Sequence, residues 1–282
     1  MGMPDTLPGD SHVHSEWSWD TSAGDMVGTC ARAVEIGLPA VAFTEHLDFN
    51  HWLATPESLT VSPHYVPFTG DDLVVRPPVF DARAYLAAID DCRERFPGLR
   101  ILSGLEIGEP HLNPAAVADI LAAGPFDRVL GSLHCLPVAG GHTSPPVLLE
   151  QVKPGELVRR YLAEVPSVVA AGDVFAVFAH IDYAIRFWPA DVAPFEAADF
   201  EPEFRHALRA LADGDRTLEV NTRLPLDPQI VGWWREEGGR TVSFGSDAHL
   251  PSALARGFRE AAHMVEAHGF RPGREAHDFW TR

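Results

Sequence analysis

The stretch DSHVHSEWSWD, residues 10–20, puts two histidines two positions apart inside a strand-like alternation. In a strand, His12 and His14 share a face, and two imidazoles on one face can grip a single divalent cation. Four more histidines, His46, His134, His180 and His249, each stand at the C-terminal end of an apolar run that reads as a strand. Glu45, Glu106 and Asp247 stand there too, and Asp247 and His249 lie two apart in SDAH. Imidazole nitrogens and carboxylate oxygens without thiolates suit Zn²⁺, Mn²⁺ or Fe²⁺ rather than Mg²⁺ or Ca²⁺. Nine such groups exceed what one cation can coordinate, so two or three ions fit better, with a carboxylate bridging a pair. Paired metals about 3.5–4 Å apart can hold a hydroxide, lower its pKa and steady an in-line displacement.

Each residue has a plainer reading when taken singly. An HxH pair arises often by chance, a glutamate in GLE is usually solvated, and a lone His134 after an apolar strand reads as a satisfied core residue. The ensemble carries the inference, because many separate strand ends each supply a ligand-type side chain. In closed parallel barrels that end is where the βα loops converge and chemistry is assembled. The remaining histidines, His51, His64, His111, His142, His206, His263, His268 and His277, read as ordinary surface or packing residues. Cys135 follows His134 directly, so alternation turns it to the opposite face.

The elements that must position these groups alternate almost from end to end. Strands are expected at 11–14, 40–46, 100–108, 128–134, 174–182, 216–222 and 241–249. Helices are expected at 24–36, 81–96, 114–122, 155–171, 201–212, 228–237 and 252–268. Strand–helix alternation of this kind is the pattern of an α/β protein with a parallel sheet and crossover helices. Seven βα units predict a closed barrel, with a doubly wound open sheet as the alternative. No linker or repeat interrupts the chain, so residues 1–282 read as one domain. Two long excursions, 47–80 and 135–154, are rich in proline, aromatic residues or glycine, as lids and binding loops often are.

With 22 basic and 40 acidic residues the net charge is −18, which argues against nucleic acid or an anionic membrane as partner. It would also repel a small phosphorylated substrate unless bound metals offset it locally. Three cysteines, Cys30, Cys92 and Cys135, form no CxxC pair and suggest neither a disulfide framework nor a zinc knuckle. MGMPDTLPGD has neither the basic region nor the apolar stretch of a signal peptide, and no run approaches 18 apolar residues. A cytoplasmic location is expected. Oligomeric state is not legible.

DSHVHSEWSWD, FTEHLDF, GLEIGE, FDRVLGSLHCL, FAHIDYAIRF, LEVNT and FGSDAH together resemble the PHP (polymerase and histidinol phosphatase) family of metal-dependent phosphoesterases. The pieces occur in family order over residues 10–249, and the stand-alone histidinol-phosphate phosphatase branch is the most similar. The resemblance implies a distorted, TIM-barrel-like (β/α)₇ barrel with a trinuclear site of zinc, manganese or iron at the C-terminal ends of its strands. It implies a first metal on His12, His14, Glu106 and Asp247, and a second on His134 and His180 with Glu106 bridging. Asp20, His46 and His249 would hold the third. Arg186, six residues after His180, would bind the substrate phosphate, and Asp247 and His249 would manage the proton of the leaving oxygen. FTEH departs from the TDH of many relatives, so Glu45 is left out of the ligand set. Ser15 and Ser18 match the fingerprint as hydrogen-bonding supports, while Trp17 and Trp19 read as wall packing or substrate stacking.

The implied activity is hydrolysis of L-histidinol phosphate, by attack of a hydroxide bridging two metals, in histidine biosynthesis. Glu16, Asp48 and Glu109 are candidates to receive the amine and imidazole of that substrate, or else to serve as supports. Arg223 is a candidate to touch an anionic substrate. The alternative within the family is another small phosphate ester: a nucleotide, a sugar phosphate or a cyclic diester. A (β/α)₈ amidohydrolase is a rival, but many of those bridge their metals with a carboxylated lysine, and the only lysine here is Lys153, outside every expected strand. A non-catalytic metal-binding module is a second rival. The intact ligand set favours an enzyme.

Overall fold

The computed structural model describes residues 7–170 and 172–282. Residues 1–6, part of the stretch read as lacking a leader, and residue 171, the expected end of one helix, lie outside the described residues. Seven parallel strands run side by side in chain order. They are Asp10–Val13, Ala40–Leu47, Arg100–Gly108, Arg128–Ser132, Val177–Phe178, Thr217–Asn221 and Thr241–Gly245, called here the first to the seventh. An eighth, Trp280–Thr281, adds antiparallel to the seventh. Helices fill most of the connections, the longest being Pro154–Val169 and Ala82–Arg95. Because helices cover the strands from outside and side chains fill the interior, strands such as Ala40–Leu47 are buried along nearly their whole length.

The sheet curls until its two ends meet. Val13 bridges Ala248 in parallel, Asp247 N donates to His12 O at 2.8 Å, and His14 N donates to Ala248 O at 2.9 Å. The expected distorted barrel is therefore what forms, and the open sheet is set aside. Asp10 pins the seam: its carboxylate accepts from Ser246 N and Ala255 N, both at 3.0 Å. Burial raises that carboxyl to about 6 even though the amide donors favour its charged form.

Three expected elements are shorter than the apolar runs suggest. The fifth strand covers only Val177–Phe178 of 174–182, and the seventh ends at Gly245 rather than 249. His180 and Asp247 adopt φ of +26° and +53°, the left-handed region, so the backbone turns out of the ladder where each presents its side chain. The helix expected over 252–268 begins only at Phe258, after a 3₁₀ turn at Pro251–Ala253 and left-handed Ala255 and Gly257.

The two excursions are not loops alone. They join in a four-stranded sheet of their own, in the order Val74–Val75, Trp52–Leu53, Gly141–Thr143, Leu136–Val138. Apolar patterning missed it because its strands are only two or three residues long and its two halves join through a single pairing, Leu53 with Thr143, far apart in the chain.

Tyr85, fully buried on the helix Ala82–Arg95, ties that helix to the barrel. Its hydroxyl donates to Phe43 O at 2.6 Å and accepts from Gly104 N at 2.9 Å. Tyr85→Phe keeps the ring and leaves both backbone groups without their partner. Urea unfolding of the metal-free protein should show a loss of about 2 kcal/mol; an unchanged midpoint would remove the hydroxyl from the fold's support.

Candidate metal centre

Glu106, fully buried on the third strand, sits at the middle of the cluster. Its Oε1 lies 3.1 Å from His134 Nε2 and 2.6 Å from His180 Nε2. Its Oε2 lies 3.1 Å from His12 Nε2, 3.4 Å from His14 Nε2 and 3.1 Å from His46 Nδ1. Beyond it, His14 Nε2 is 3.5 Å from Asp247 Oδ1, and Asp20 Oδ2 is 3.3 Å from His46 Nε2 and 3.1 Å from His249 Nε2. All nine residues named from the sequence as ligands thus converge. They do not fall into three separate nests. Ligand atoms within 4.8 Å of one another group as His12–His14–Asp247, His12–Glu106–His180, His14–His46–His249 and His46–Asp48–His134, so neighbouring groups share members.

The outer ring nitrogens show how the imidazoles are aimed. His12 Nδ1 lies 2.6 Å from Glu219 Oε1, His14 Nδ1 lies 2.9 Å from Ser18 Oγ, and His134 Nδ1 lies 3.1 Å from Asp48 Oδ1. A carboxylate can only accept, so Nδ1 of His12 and of His134 carries a proton, and Nε2 is the ring atom each turns toward Glu106. Ser18 Oγ gives its proton to Glu45 Oε2 at 2.5 Å, so it too accepts from His14. The Nε2 atoms of His12 and His14 stand 3.0 Å apart, both turned toward Glu106. A cation in place of the inward proton would be held by both, and the buried donor set of imidazoles and carboxylates matches Zn²⁺, Mn²⁺ or Fe²⁺.

Charge reinforces the same reading. Burial alone would raise Glu106, yet the imidazoles of His12, His134, His46 and His180 hold it well below the usual carboxylate range. Asp247 is likewise pulled far down against its burial, chiefly by the Arg186 guanidinium. Burial, helped by His46 and His249, lowers His14 to about 4, and burial lowers His180 as well. The Glu219 and Glu106 carboxylates hold His12, Asp20 and Glu106 hold His46, and Glu106 and Asp48 hold His134 well above the ordinary imidazole value against their burial, so a bound cation would take the place of those protons.

Several supports went unnoticed in the sequence. Glu219, in LEVNT, holds His12 with one oxygen and accepts from His180 N at 2.7 Å with the other. Its signal was a glutamate and an asparagine at i and i+2 in an otherwise apolar strand, and Asn221 Nδ2 does donate to it at 3.0 Å. Gly245 leaves it room, since a Cβ there would come within 2.0 Å of Glu219 Oε1. Glu45 is turned away from the ligands and accepts from Ser15 and Ser18, which justifies its omission and explains the two serines. The acidic residues considered as receivers of the substrate's amine are engaged elsewhere. Asp48 orients His134, Glu109 accepts from Cys135 N at 2.7 Å and Asn50 Nδ2 at 2.7 Å, and Glu16 accepts from Met26 N at 2.7 Å. Cys135 is buried beside Trp52, Ala54 and Val75, away from ligation.

Over the cluster opens a cavity of about 1020 Å³. Glu106, His134, His180, Asp247 and His249 line its floor, with Arg186 and Arg223 beside them. Arg186 Nη1 donates to Asp247 Oδ2 at 2.7 Å, its guanidinium lies 5.2 Å from the Tyr183 ring centroid, and its Nε and Nη2 are buried without partners. Arg223 Nη1 is 3.3 Å from Asp247 Oδ1 and 3.2 Å from His249 Nδ1. Trp19, Trp52, His64, Tyr65 and Phe68 form the opposite wall, so His64 is not the incidental surface residue that its isolation in the sequence suggests. Trp17 instead packs on Tyr85.

The PHP domain family profile matches residues 10–223. A Lactococcus lactis protein named histidinol-phosphatase is 26% identical over 269 residues, covering 93% of this chain and 91% of its own. A Thermotoga maritima protein carrying the name probable histidinol-phosphatase is 31% identical over 268 residues, covering 93% and 92%. Among solved structures, the L. lactis histidinol phosphate phosphatase in complex with zinc, L-histidinol and phosphate superposes with a TM-score of 0.77. It is 23% identical and covers 98% of this chain and 99% of its own, which establishes the shared fold. This chain belongs to the PHP domain family.

Proposed function

We propose that the chain is a metal-dependent phosphomonoesterase that hydrolyses L-histidinol phosphate to L-histidinol and phosphate, the whole of it forming one PHP-type barrel domain. The observation that carries the reading is Glu106 shared between two sets of imidazoles, with an arginine beside them whose buried donors lack partners. Relatives along nearly the full length bear the name histidinol-phosphatase, and the superposed L. lactis enzyme holds zinc with L-histidinol and phosphate.

His12, His14 and Asp247 would hold one ion, His134 and His180 a second, and Glu106 both; Asp20, His46 and His249 would hold a third. Bound divalent ions supply a hydroxide at neutral pH and neutralise phosphoryl charge. The chain does the rest. Arg186, with Nη1 fixed by Asp247, has Nε and Nη2 free to donate to two phosphoryl oxygens, and those bonds strengthen as charge builds in the transition state. Arg223 is placed to add a third contact from the rim. An alkyl alkoxide leaves poorly without a proton, and the cavity-lining Asp247 and His249 are the groups we assign to manage it. A cytoplasmic site of action goes with three buried free thiols. Among the described residues no helix is long and apolar enough to cross a membrane.

The test is phosphate release after Mn²⁺ or Zn²⁺ loading, with L-histidinol phosphate beside p-nitrophenyl phosphate, a nucleoside monophosphate and a cyclic diester. A kcat/KM of at least about 10⁴ M⁻¹s⁻¹ for histidinol phosphate, well above the others, is expected. Preference for a nucleotide or diester would reassign the substrate within the family. Glu106→Gln should cost at least one bound ion by elemental analysis and leave turnover below roughly 1% of the parent, the scale of losing a key electrostatic stabiliser. Arg186→Ala should lower kcat/KM by roughly 10²–10³-fold while bound metal stays at the parent's stoichiometry. Full activity in that variant would contradict the role given to Arg186.

A further inference from the structure

Trp19 packs on the small apolar cluster around Trp52, Ala54 and Val75, which accounts for its ring but not for its indole N–H. Its ring stands in the cavity wall, stacked on Tyr65 at 5.6 Å and 25° and edge-on to Phe68 at 5.1 Å, with Trp52 at 5.9 Å. Those three partners all come from the 47–80 excursion. Its indole Nε1 points the other way and donates to Asp48 Oδ2 at 2.9 Å. The second oxygen of Asp48 faces His134 Nδ1 at 3.1 Å, and the far nitrogen of the same ring lies 3.1 Å from Glu106 Oε1.

We propose that Trp19 is a positioning residue that ties the aromatic wall of the cavity to the second metal position through Asp48. A buried carboxylate needs its lone pairs satisfied, and an Asp has two torsions in which to wander. With the indole N–H on one oxygen, the other is held where it can accept from His134 Nδ1, which fixes that imidazole's tautomer and its Nε2 aim. The space for the pair is reserved by the third strand: a Cβ at Gly108 would lie 2.1 Å from Asp48 Oδ1 and 3.2 Å from His134 Nδ1. The far end of the link is anchored as firmly, because Trp19 is gripped by rings on three sides. The excursion that supplies the aromatic wall of the cavity is thereby in register with His134 at the second metal position.

The inference rests on the metal-phosphatase reading, and the experiment separates the two. The full chain, stripped with chelator, is titrated with Zn²⁺ alone against a chromophoric competitor, for the parent, Trp19→Phe, Asp48→Asn and the double variant. Trp19→Phe keeps a ring in the wall and removes the N–H. It should weaken one Zn²⁺ position by roughly 10–100-fold and spare the others. Asp48→Asn should weaken the same position, and the double variant should bind within about threefold of Asp48→Asn, because both changes cut one link. Trp19→Tyr, which also lacks a donor there, replaces Trp19→Phe should the latter fail to fold. A merely structural tryptophan would lower the thermal midpoint of the metal-free protein without moving Zn²⁺ affinity. Affinities within threefold of the parent, or losses that add in the double variant, overturn the proposal. Turnover of L-histidinol phosphate and p-nitrophenyl phosphate by the loaded parent judges the enzyme reading separately; an inert parent with a Trp19-dependent Zn²⁺ position would sink that reading and leave this inference standing.

Discussion

A single buried carboxylate organises the structure. Glu106 has no exposure to water, and a charge so placed is tolerable only when both oxygens are compensated at short range. Five imidazoles from four other strand ends or their following loops supply that compensation. Bringing them to one point requires the sheet to close, since His12 comes from its first strand, His14 from just beyond it, and Asp247 from just beyond its seventh. The seam hydrogen bonds made by Asp247 N and His14 N are therefore part of the site as well as of the barrel.

Around this centre lies a layer whose work is orientation. Glu219, Ser18 and Asp48 each take one ring nitrogen, and Glu45 in turn fixes Ser15 and Ser18. The layer has no exposed charge and makes no contact with the cavity except through Asp48, Trp19's partner. Its energetic role follows from geometry. An imidazole free to rotate would present the wrong nitrogen half the time, whereas a ring pinned at Nδ1 presents Nε2 alone. The left-handed backbone at His180 and Asp247 marks the points where the chain leaves the strands and presents these two side chains to the cluster.

Eight of the nine converging residues were legible in the sequence because each is a polar residue at the end of an apolar run, and seven such runs in order already imply a barrel; Asp20 closes no such run and came only from the family resemblance. Of the supports, Ser15 and Ser18 came from the fingerprint and Asp48 was one of two readings, whereas Glu219 and the partner of Asp48 were not legible, and the reason is spatial. Nothing local tells that Glu219 answers His12 across 207 positions, or that Asp48, one of forty acidic residues, meets His134 rather than solvent. The partition among three ions came from the resemblance and not from local pattern, and the grouping is overlapping, since His12, His14 and His46 each belong to two groups. Strand ends were overextended where apolar residues continue past a left-handed turn, as in 179–182. His64 was passed over because a lone histidine in a proline-rich stretch carries no periodicity; only the folding of 47–80 over the barrel mouth brings it to the cavity.

The central claim is that Glu106 bridges a pair of ions, and anomalous diffraction from crystals of the Zn²⁺-loaded protein tests it most directly. The account predicts two zinc peaks flanking the Glu106 carboxylate about 3.5–4 Å apart, one reached by His12 and His14 and the other by His134 and His180. A single peak, with one oxygen of Glu106 left facing uncoordinated imidazoles in fully loaded protein, would contradict it.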